Sequence, residues 1–192
     1  MPTFHVLIAT AGRPSLRRLL DSLRGELSPA DAVTVVFDGP EARARSGLEP
    51  EWLEGHPESI ALIDQVPNLG FWGHGIRNAY QARLAPQTTY VMHADDDDAY
   101  APGAFAALRA LCADPARLYI AKMRMPSGET IPRQAAEIVP GDIGTPCGVV
   151  PFAAAGRGVW ESRCGGDGDY YVQVAAAVPH TFLDVVVYLV RP

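Results

Sequence analysis

Four consecutive aspartates, Asp95 to Asp98, follow an apolar run and precede Ala99-Tyr100. Neighbouring carboxylates repel by about 1 kcal/mol at 4 Å in water and about 4 kcal/mol at an intermediate dielectric. At the end of a buried strand that repulsion is a cost unless a cation offsets it. Hard divalent cations take oxygen ligands and often bind through one or two carboxylates plus a substrate phosphate. Residues two apart on an extended chain point to one side, so Asp95 and Asp97 are placed to offer such a cation two ligands. A solvated acidic turn is the alternative; the closeness of the run to a strand speaks against it. Arg13 and Arg77 carry permanent charge and forked donors suited to phosphate oxygens, or equally to a salt bridge. Asp38, when ionised, only accepts hydrogen bonds; it suits a ring N–H, or a turn into Gly39-Pro40. Cys164-Gly165-Gly166-Asp167-Gly168-Asp169-Tyr170-Tyr171 sets two carboxylates around a glycine, where either could take a proton or cap a helix.

Alternating strands and helices would position these groups. Phe4 to Ala9, Ala32 to Phe37, Ser59 to Ile63 and Thr89 to Met92 are short apolar runs of strand length. A helix opens at Pro14-Ser15 and carries Leu16, Leu19, Leu20 and Leu23 at helical spacing. Gly75 to Leu84 and Ala104 to Leu111 read as further helices. This rhythm is that of an α/β sandwich with a largely parallel sheet, in which ligands bind at the carboxyl ends of strands. Thr10, Asp38 and Asp95 to Asp98 fall at those ends. Residues 113 to 166 are rich in Pro and Gly, with short strands at Leu118 to Met123 and Gly148 to Phe152. A last helix is predicted from near Asp169 and a last strand over Phe182 to Val190. We expect one domain over 1–192, with a ligand-binding half to 112 and a loop-rich half from 113.

The acidic segment resembles the DxD region of nucleotide-sugar-dependent glycosyltransferases of the GT-A fold, family 2 type. Aligned on the Asp-Asp-x-Tyr tail, Asp95 and Asp97 are the two DxD aspartates; a neighbouring register brings in Asp96. The resemblance implies Mn²⁺ or Mg²⁺ held by them against the donor's diphosphate, with Asp95 also near the ribose. Phe4 to Leu23 is similar to the family's first strand and turn, where Ala9, Thr10 and Arg13 would line the nucleotide. Asp38 matches an acidic residue that accepts from uracil. Asn68-Leu69-Gly70 and Gly75-Ile76-Arg77-Asn78 match a pattern in which Asn68, Gly70 and Arg77 contact base or phosphate. In the Gly-rich stretch, Gly168 stands where the family carries Glu. Aligning on the aromatic makes Asp169 the general base and aligning on the glycines makes it Asp167; a helix starting at Asp169 favours the former. The expected activity is metal-dependent, inverting transfer of a sugar, from a UDP-sugar in the favoured reading, to a hydroxyl of a glycan, a lipid-linked or another acceptor.

Lesser candidates surround this set. His93 reads as a core residue or one behind the site, and His180 as a late metal ligand. His74 lies in a loop that would cover the donor sugar, and Trp160 and Glu161 would meet the acceptor. Cys112, Cys147 and Cys164 are expected to be buried small hydrophobes, since no CxxC pair points to zinc and no spacing to disulfides. The 192 residues, 48% hydrophobic and 20% charged, suit a folded domain. A net charge of −6 argues against broad nucleic-acid binding. No apolar run reaches the roughly 18 residues of a membrane span, and no leader is visible, so a cytosolic setting is expected. Two enzyme rivals fit less well. A nucleotidyltransferase would carry more glycines than Ala11-Gly12-Arg13, and a haloacid dehalogenase-type phosphatase would end its first strand in Asp rather than Ala9-Thr10. A non-catalytic binding module of the same fold is the third rival, kept open by the missing Glu.

Overall fold

The computed structural model describes residues 1–49, 59–134 and 136–192, and among these nine strands join one sheet. β1 (Phe4–Thr10) and β2 (Ala32–Asp38) are buried along their whole length, as continuous apolar runs are in parallel sheets. With β3 (Ser59–Gln65) and β4 (Tyr90–Asp95) they form a parallel block in the order β3-β2-β1-β4. Between β1 and β2 the chain forms α1 (Leu16–Leu23), which buries all four of its leucines and so presents the apolar stripe their spacing predicts.

Five more strands extend the block: β5 (Ala99–Tyr100), β6 (Leu118–Arg124), β7 (Thr130–Ile131), β8 (Gly148–Pro151) and β9 (His180–Leu189). β8 runs antiparallel to both β4 and β6, β9 parallel to β6, and β5 antiparallel to β9. β7 pairs with β6 off this path. Strands from both halves of the sequence therefore share one sheet.

The order explains where a site can form. β1 lies between β2 and β4, so the chain leaves it on one side and returns later on the other. A crevice opens at such a reversal, outside the carboxyl ends. Ala9 pairs with Asp95 across it.

The remaining α-helices among the described residues are α2 (Ala42–Ser46), α3 (His74–Tyr80), α4 (Ala104–Leu111) and α5 (Gly166–Ala177). Two helices and one strand shift from expectation. α3 stops at Tyr80 rather than Leu84, because the Arg83 N–H turns to the Tyr80 carbonyl at 2.8 Å, three residues back. β9 begins at His180, where pairing with Leu118 of β6 starts, rather than at Phe182. α5 begins at Gly166, three residues before Asp169. Its Tyr170 and Tyr171 are fully buried, and Tyr170 stacks on Trp160 at 4.2 Å between ring centroids.

Candidate functional site

The end of β1 and the end of β4 hold each other. The Thr10 hydroxyl donates to Asp96 Oδ2 at 2.5 Å and accepts from the Gly12 N–H at 2.9 Å. Arg13 Nη1 reaches Asp96 Oδ1 at 2.8 Å. Burial raises the Asp96 pKa, and Thr10 and Arg13 pull it back only in part. Arg13 is itself held further into its charged form, first by Asp96.

Asp95 and Asp97 behave differently from Asp96. Their side chains are 34% and 22% exposed against 4% for Asp96. All three line a cavity of about 480 Å³, together with Ala9, Thr10 and Arg13. One Asp95 oxygen accepts from Arg77 Nη2 at 2.5 Å, and Asp97 Oδ2 from Arg191 Nε at 3.1 Å. The backbone of Asp95 is fixed by Tyr188, whose hydroxyl accepts its N–H at 3.0 Å and donates to its carbonyl at 3.1 Å. Asp98 turns inward and accepts the Arg191 N–H at 2.9 Å; burial raises its pKa to about 7. The positive charge offsetting this acidic run in the fold is thus partly arginine.

Arg77 does not stand where base or phosphate could reach it. It is fully buried in α3, outside the residues that line the cavity. Its guanidinium bonds Asp95, the Trp72 carbonyl at 2.9 Å and the Ala94 carbonyl at 3.4 Å, and lies 5.1 Å from the Trp160 ring. It orients Asp95 from behind. Asp38 does line the cavity, yet both its oxygens are engaged: Oδ1 accepts the Leu69 N–H at 2.7 Å and Oδ2 the Gly70 N–H at 2.8 Å. Asn68 Nδ2 returns a bond to the Asp38 carbonyl at 3.2 Å. Asp38 therefore pins the loop whose Asn68 and Gly70 also line the cavity.

α5 brings one of the two candidate bases to the same cavity. Asp167 lines the cavity and accepts the Gly168 N–H at 2.9 Å. Burial raises its pKa, moderated by that bond and by His74. Asp169 is paired with Arg163 and lies outside the cavity lining. The preference for Asp169 requires a helix that starts there; with the start at Gly166 both aspartates lie in the first turn, and only Asp167 lines the cavity. Gly168 in place of Glu also has a packing reason. A Cβ there would come within 2.5 Å of the Pro140 Cα.

The fold places the lesser candidates, some where expected and some not. Trp160 is 1% exposed, so it cannot meet an acceptor; its indole N–H donates to Gln81 Oε1 at 2.9 Å. Glu161 is exposed and offers its carbonyl to His74 Nδ1 at 2.6 Å. His180 begins β9, while Tyr188 near its other end bonds Asp95; strand rise puts these ends roughly 25 Å apart, too far for His180 to share a metal with Asp95. His93 is fully buried edge-on to Trp160 and Tyr170, and burial keeps it neutral. Cys112 and Cys147 are buried, but Cys164 is exposed on the turn before α5 and lines the cavity. Arg191, Tyr188, Arg163 and Trp72 were not singled out from the sequence. Only the strand order brings the end of β9 beside Asp95, and no local pattern marks it.

No protein-family model and no curated protein sequence matches the chain. Solved structures do. TarS of S. aureus (residues 1–349) matches with a TM-score of 0.75 at 15% identity over 99% of this chain and 60% of that one. TarS has also been solved in complex with UDP-GlcNAc. The mannosyltransferase PcManGT from Pyrobaculum calidifontis, in complex with GDP-Man and Mn²⁺, matches with a TM-score of 0.73 at 17% identity, over 98% of this chain and 56% of that one. Rv0371C from Mycobacterium tuberculosis H37Rv, complexed with manganese, matches with a TM-score of 0.52 at 16% identity, over 98% of this chain and 90% of that one. The chain thus spans less than two thirds of the first two. At these identities the likeness is one of fold, and the fold is the α/β GT-A fold of glycosyltransferases.

Proposed function

We propose that this chain is a metal-dependent glycosyltransferase that moves a sugar from a nucleotide-sugar, a UDP-sugar in the favoured reading, to an acceptor hydroxyl with inversion. One observation carries the reading: a single cavity at the β1–β4 crevice is lined by Asp95, Asp97 and Arg13 from the strand ends and also by Asp167 from α5. The likeness in fold to structures holding UDP-GlcNAc, or GDP-Man with Mn²⁺, supports it.

The residues fit a hard divalent cation. Among the described residues no three His, Cys, Asp or Glu side chains form a ready-made metal cage. That suits a cation shared with a diphosphate, which needs only one or two protein carboxylates. Asp95 and Asp97, more exposed than Asp96, would hold Mn²⁺ or Mg²⁺, which when bound would neutralise charge building on the leaving diphosphate. Arg13 adds fixed positive charge at the same wall. Thr10 and Asp96 keep Arg13 in place, and Arg77 keeps one Asp95 oxygen turned. Ala9, Asn68 and Gly70 shape the nucleotide's end, where the Asp38 lone pairs left by Leu69 and Gly70 suit a base N–H. Asp167 takes the proton of the attacking hydroxyl; its raised pKa brings it nearer the operating pH of a general base. A single domain with donor half 1–112 and acceptor half 113–192 accords with the shared sheet. No described helix is long and apolar enough to cross a membrane. The proposed setting is the cytoplasm, with a dissolved or membrane-surface acceptor.

Thermal shift with UDP, GDP, UDP-GlcNAc and GDP-mannose, each with Mn²⁺ or EDTA, tests this. A ligand at a hundredfold excess over Kd stabilises by about 2.7 kcal/mol. Stabilisation that needs Mn²⁺ and is larger for UDP than GDP is expected. No shift with any of the four would falsify the proposal, and a larger one with GDP would overturn the base assignment.

A further inference from the structure

Two large apolar side chains stand in solvent beside the cavity. Phe71 and Trp72 are 57% and 69% exposed, and both have left-handed backbone at φ 55° and 52°. Bulky residues rarely adopt that conformation. It persists where surroundings over-determine it, and such positions cluster at ligand sites. Here the restraints are visible. Asp38 holds the Leu69 and Gly70 N–H groups before the pair. Buried Arg77 holds the Trp72 carbonyl at 2.9 Å. Gly73 follows at φ 84°, so close to β1 that a Cβ would come within 2.6 Å of the Ala9 Cβ. The backbone is anchored inward, and the two rings are left outside.

Trp72 is the member of the pair that lines the cavity. Its ring centroid lies 6.4 Å from that of His74. His74 in turn lies against the turn carrying Gly166, its Cε1 3.1 Å from where a Gly166 Cβ would be. Gly166 precedes Asp167. The indole and the proposed base thus line one cavity, with His74 in contact range of the turn between them.

We propose that Trp72 is a stacking platform for the apolar face of a pyranose ring, the sugar unit of the acceptor. Axial C–H groups of such a ring carry partial positive charge and meet the negative face of an indole. A flat, exposed aromatic serves this without any charged partner, and the strained turn holds it ready before the ligand arrives. The assignment to the acceptor rather than the donor rests on the proposed function, because it is the acceptor hydroxyl that must reach Asp167.

Saturation-transfer NMR on the full chain, with cellobiose, chitobiose and mannobiose as probes and no nucleotide, reads the platform directly. At least one disaccharide is expected to receive saturation through its C–H face. Trp72→Ala should weaken that binding tenfold or more, and Trp72→Phe should restore most of it. The melting temperature and the Mn²⁺-dependent affinity for UDP should stay unchanged, since the side chain is mostly in solvent. No disaccharide binding to the wild type, or equal binding to Trp72→Ala, overturns the platform. Loss of UDP-GlcNAc or GDP-mannose affinity with disaccharide and nucleotide binding intact assigns the ring to the donor sugar and overturns the acceptor. Disaccharide binding through Trp72 in a protein that binds neither UDP nor GDP with Mn²⁺ supports the platform while the glycosyltransferase reading fails.

Discussion

The two walls of the cavity are built by different means. On the donor side, Thr10, Asp38 and Asp95 end parallel strands, with Asp96, Asp97 and Arg13 just beyond. Their side chains are tied to one another, to neighbouring backbone or to Arg77 and Arg191 by bonds of 2.5–3.1 Å. On the acceptor side, Asp167 stands in the first turn of α5, and close glycine packing fixes the turn before it. A strand end sets which side a residue faces by alternation. A helix start does so by rotation, about 100° per residue. Asp167 and Asp169 are thus about 200° apart around α5, so the wall that takes one turns the other away. A two-residue shift around a helix start therefore changes which carboxylate faces the cavity, whereas residues two apart at a strand end, such as Asp95 and Asp97, keep to one side.

The largest effect should come from the rotated wall. Asp167→Asn removes the proposed base and should lower turnover by about 10² to 10⁴. UDP affinity should stay within a few-fold, because the donor wall is untouched. Asp169→Asn, which breaks only a partly exposed pair with Arg163, should leave most of the turnover. Since burial raises the Asp167 pKa and a base works ionised, wild-type turnover should fall on acidification from a higher pH than an ordinary carboxylate would give. A dead Asp169→Asn beside an active Asp167→Asn would reverse the comparison.

Next comes the donor wall. Asp97→Asn should weaken UDP binding in Mn²⁺ by about tenfold or more, some 1.4 kcal/mol, and change it little in EDTA. Calorimetry in the two buffers separates these cases. Equal loss in both means that Asp97 serves the fold through Arg191 and not a cation.

A third substitution tests whether Asp38 holds a loop or a base. Asp38→Ala frees the Leu69 and Gly70 N–H groups. Hydrogen bonds to a charged group are worth about 1.5–3 kcal/mol, so the protein should melt measurably lower with no ligand present. Asp38→Asn keeps one acceptor and should melt between the two. If Asp38→Ala melts like the wild type, the pinning of the loop contributes nothing.

The same contrast governs how much could be read in advance. Buried parallel strands are continuous apolar runs, so β1, β2 and β4 and the polar residues at their ends were legible from Phe4–Ala9, Ala32–Phe37 and Thr89–Met92. The leucine stripe of α1 was legible for the same reason. What could not be read depends on contacts distant in sequence. Arg77 looked like a phosphate ligand because its type allows it; only the packing of α3 under Trp160 turns it towards Asp95. Trp160 looked available to an acceptor until the fold buried it on Tyr170. Cys164 looked like a core residue, as most unpaired cysteines are, but lies on the turn that faces the cavity. Arg191 and Tyr188 reach the acidic run through the order of strands, which no local spacing encodes.

The smallest effect belongs to the scaffold below the donor wall and separates its titration from that of the site. His5 on β1 is fully buried, with Nε2 2.8 Å from the Thr34 hydroxyl and Nδ1 3.1 Å from the Pro86 carbonyl. Burial lowers its pKa below the ordinary 6.5 despite the Pro86 bond. The folded chain therefore keeps His5 neutral while the unfolded chain takes a proton near 6.5. Stability rises with pH wherever the unfolded state binds more protons. The His5 contribution is thus whole above 6.5 and is lost as pH falls through the window below it, down to the lowered folded pKa. At pH 5 the loss is bounded by about 2 kcal/mol. His5→Gln keeps a polar group beside Thr34 but cannot titrate. The wild type should lose more stability than His5→Gln between pH 7.5 and pH 5, read as the difference in their melting-temperature drops. The variant's turnover should keep the acid limb that Asp167 sets, because β1 carries His5 at the end opposite Thr10. Equal drops for the two proteins would mean that His5 titrates alike in both states, and a shifted acid limb in His5→Gln would mean that scaffold and site titrate together.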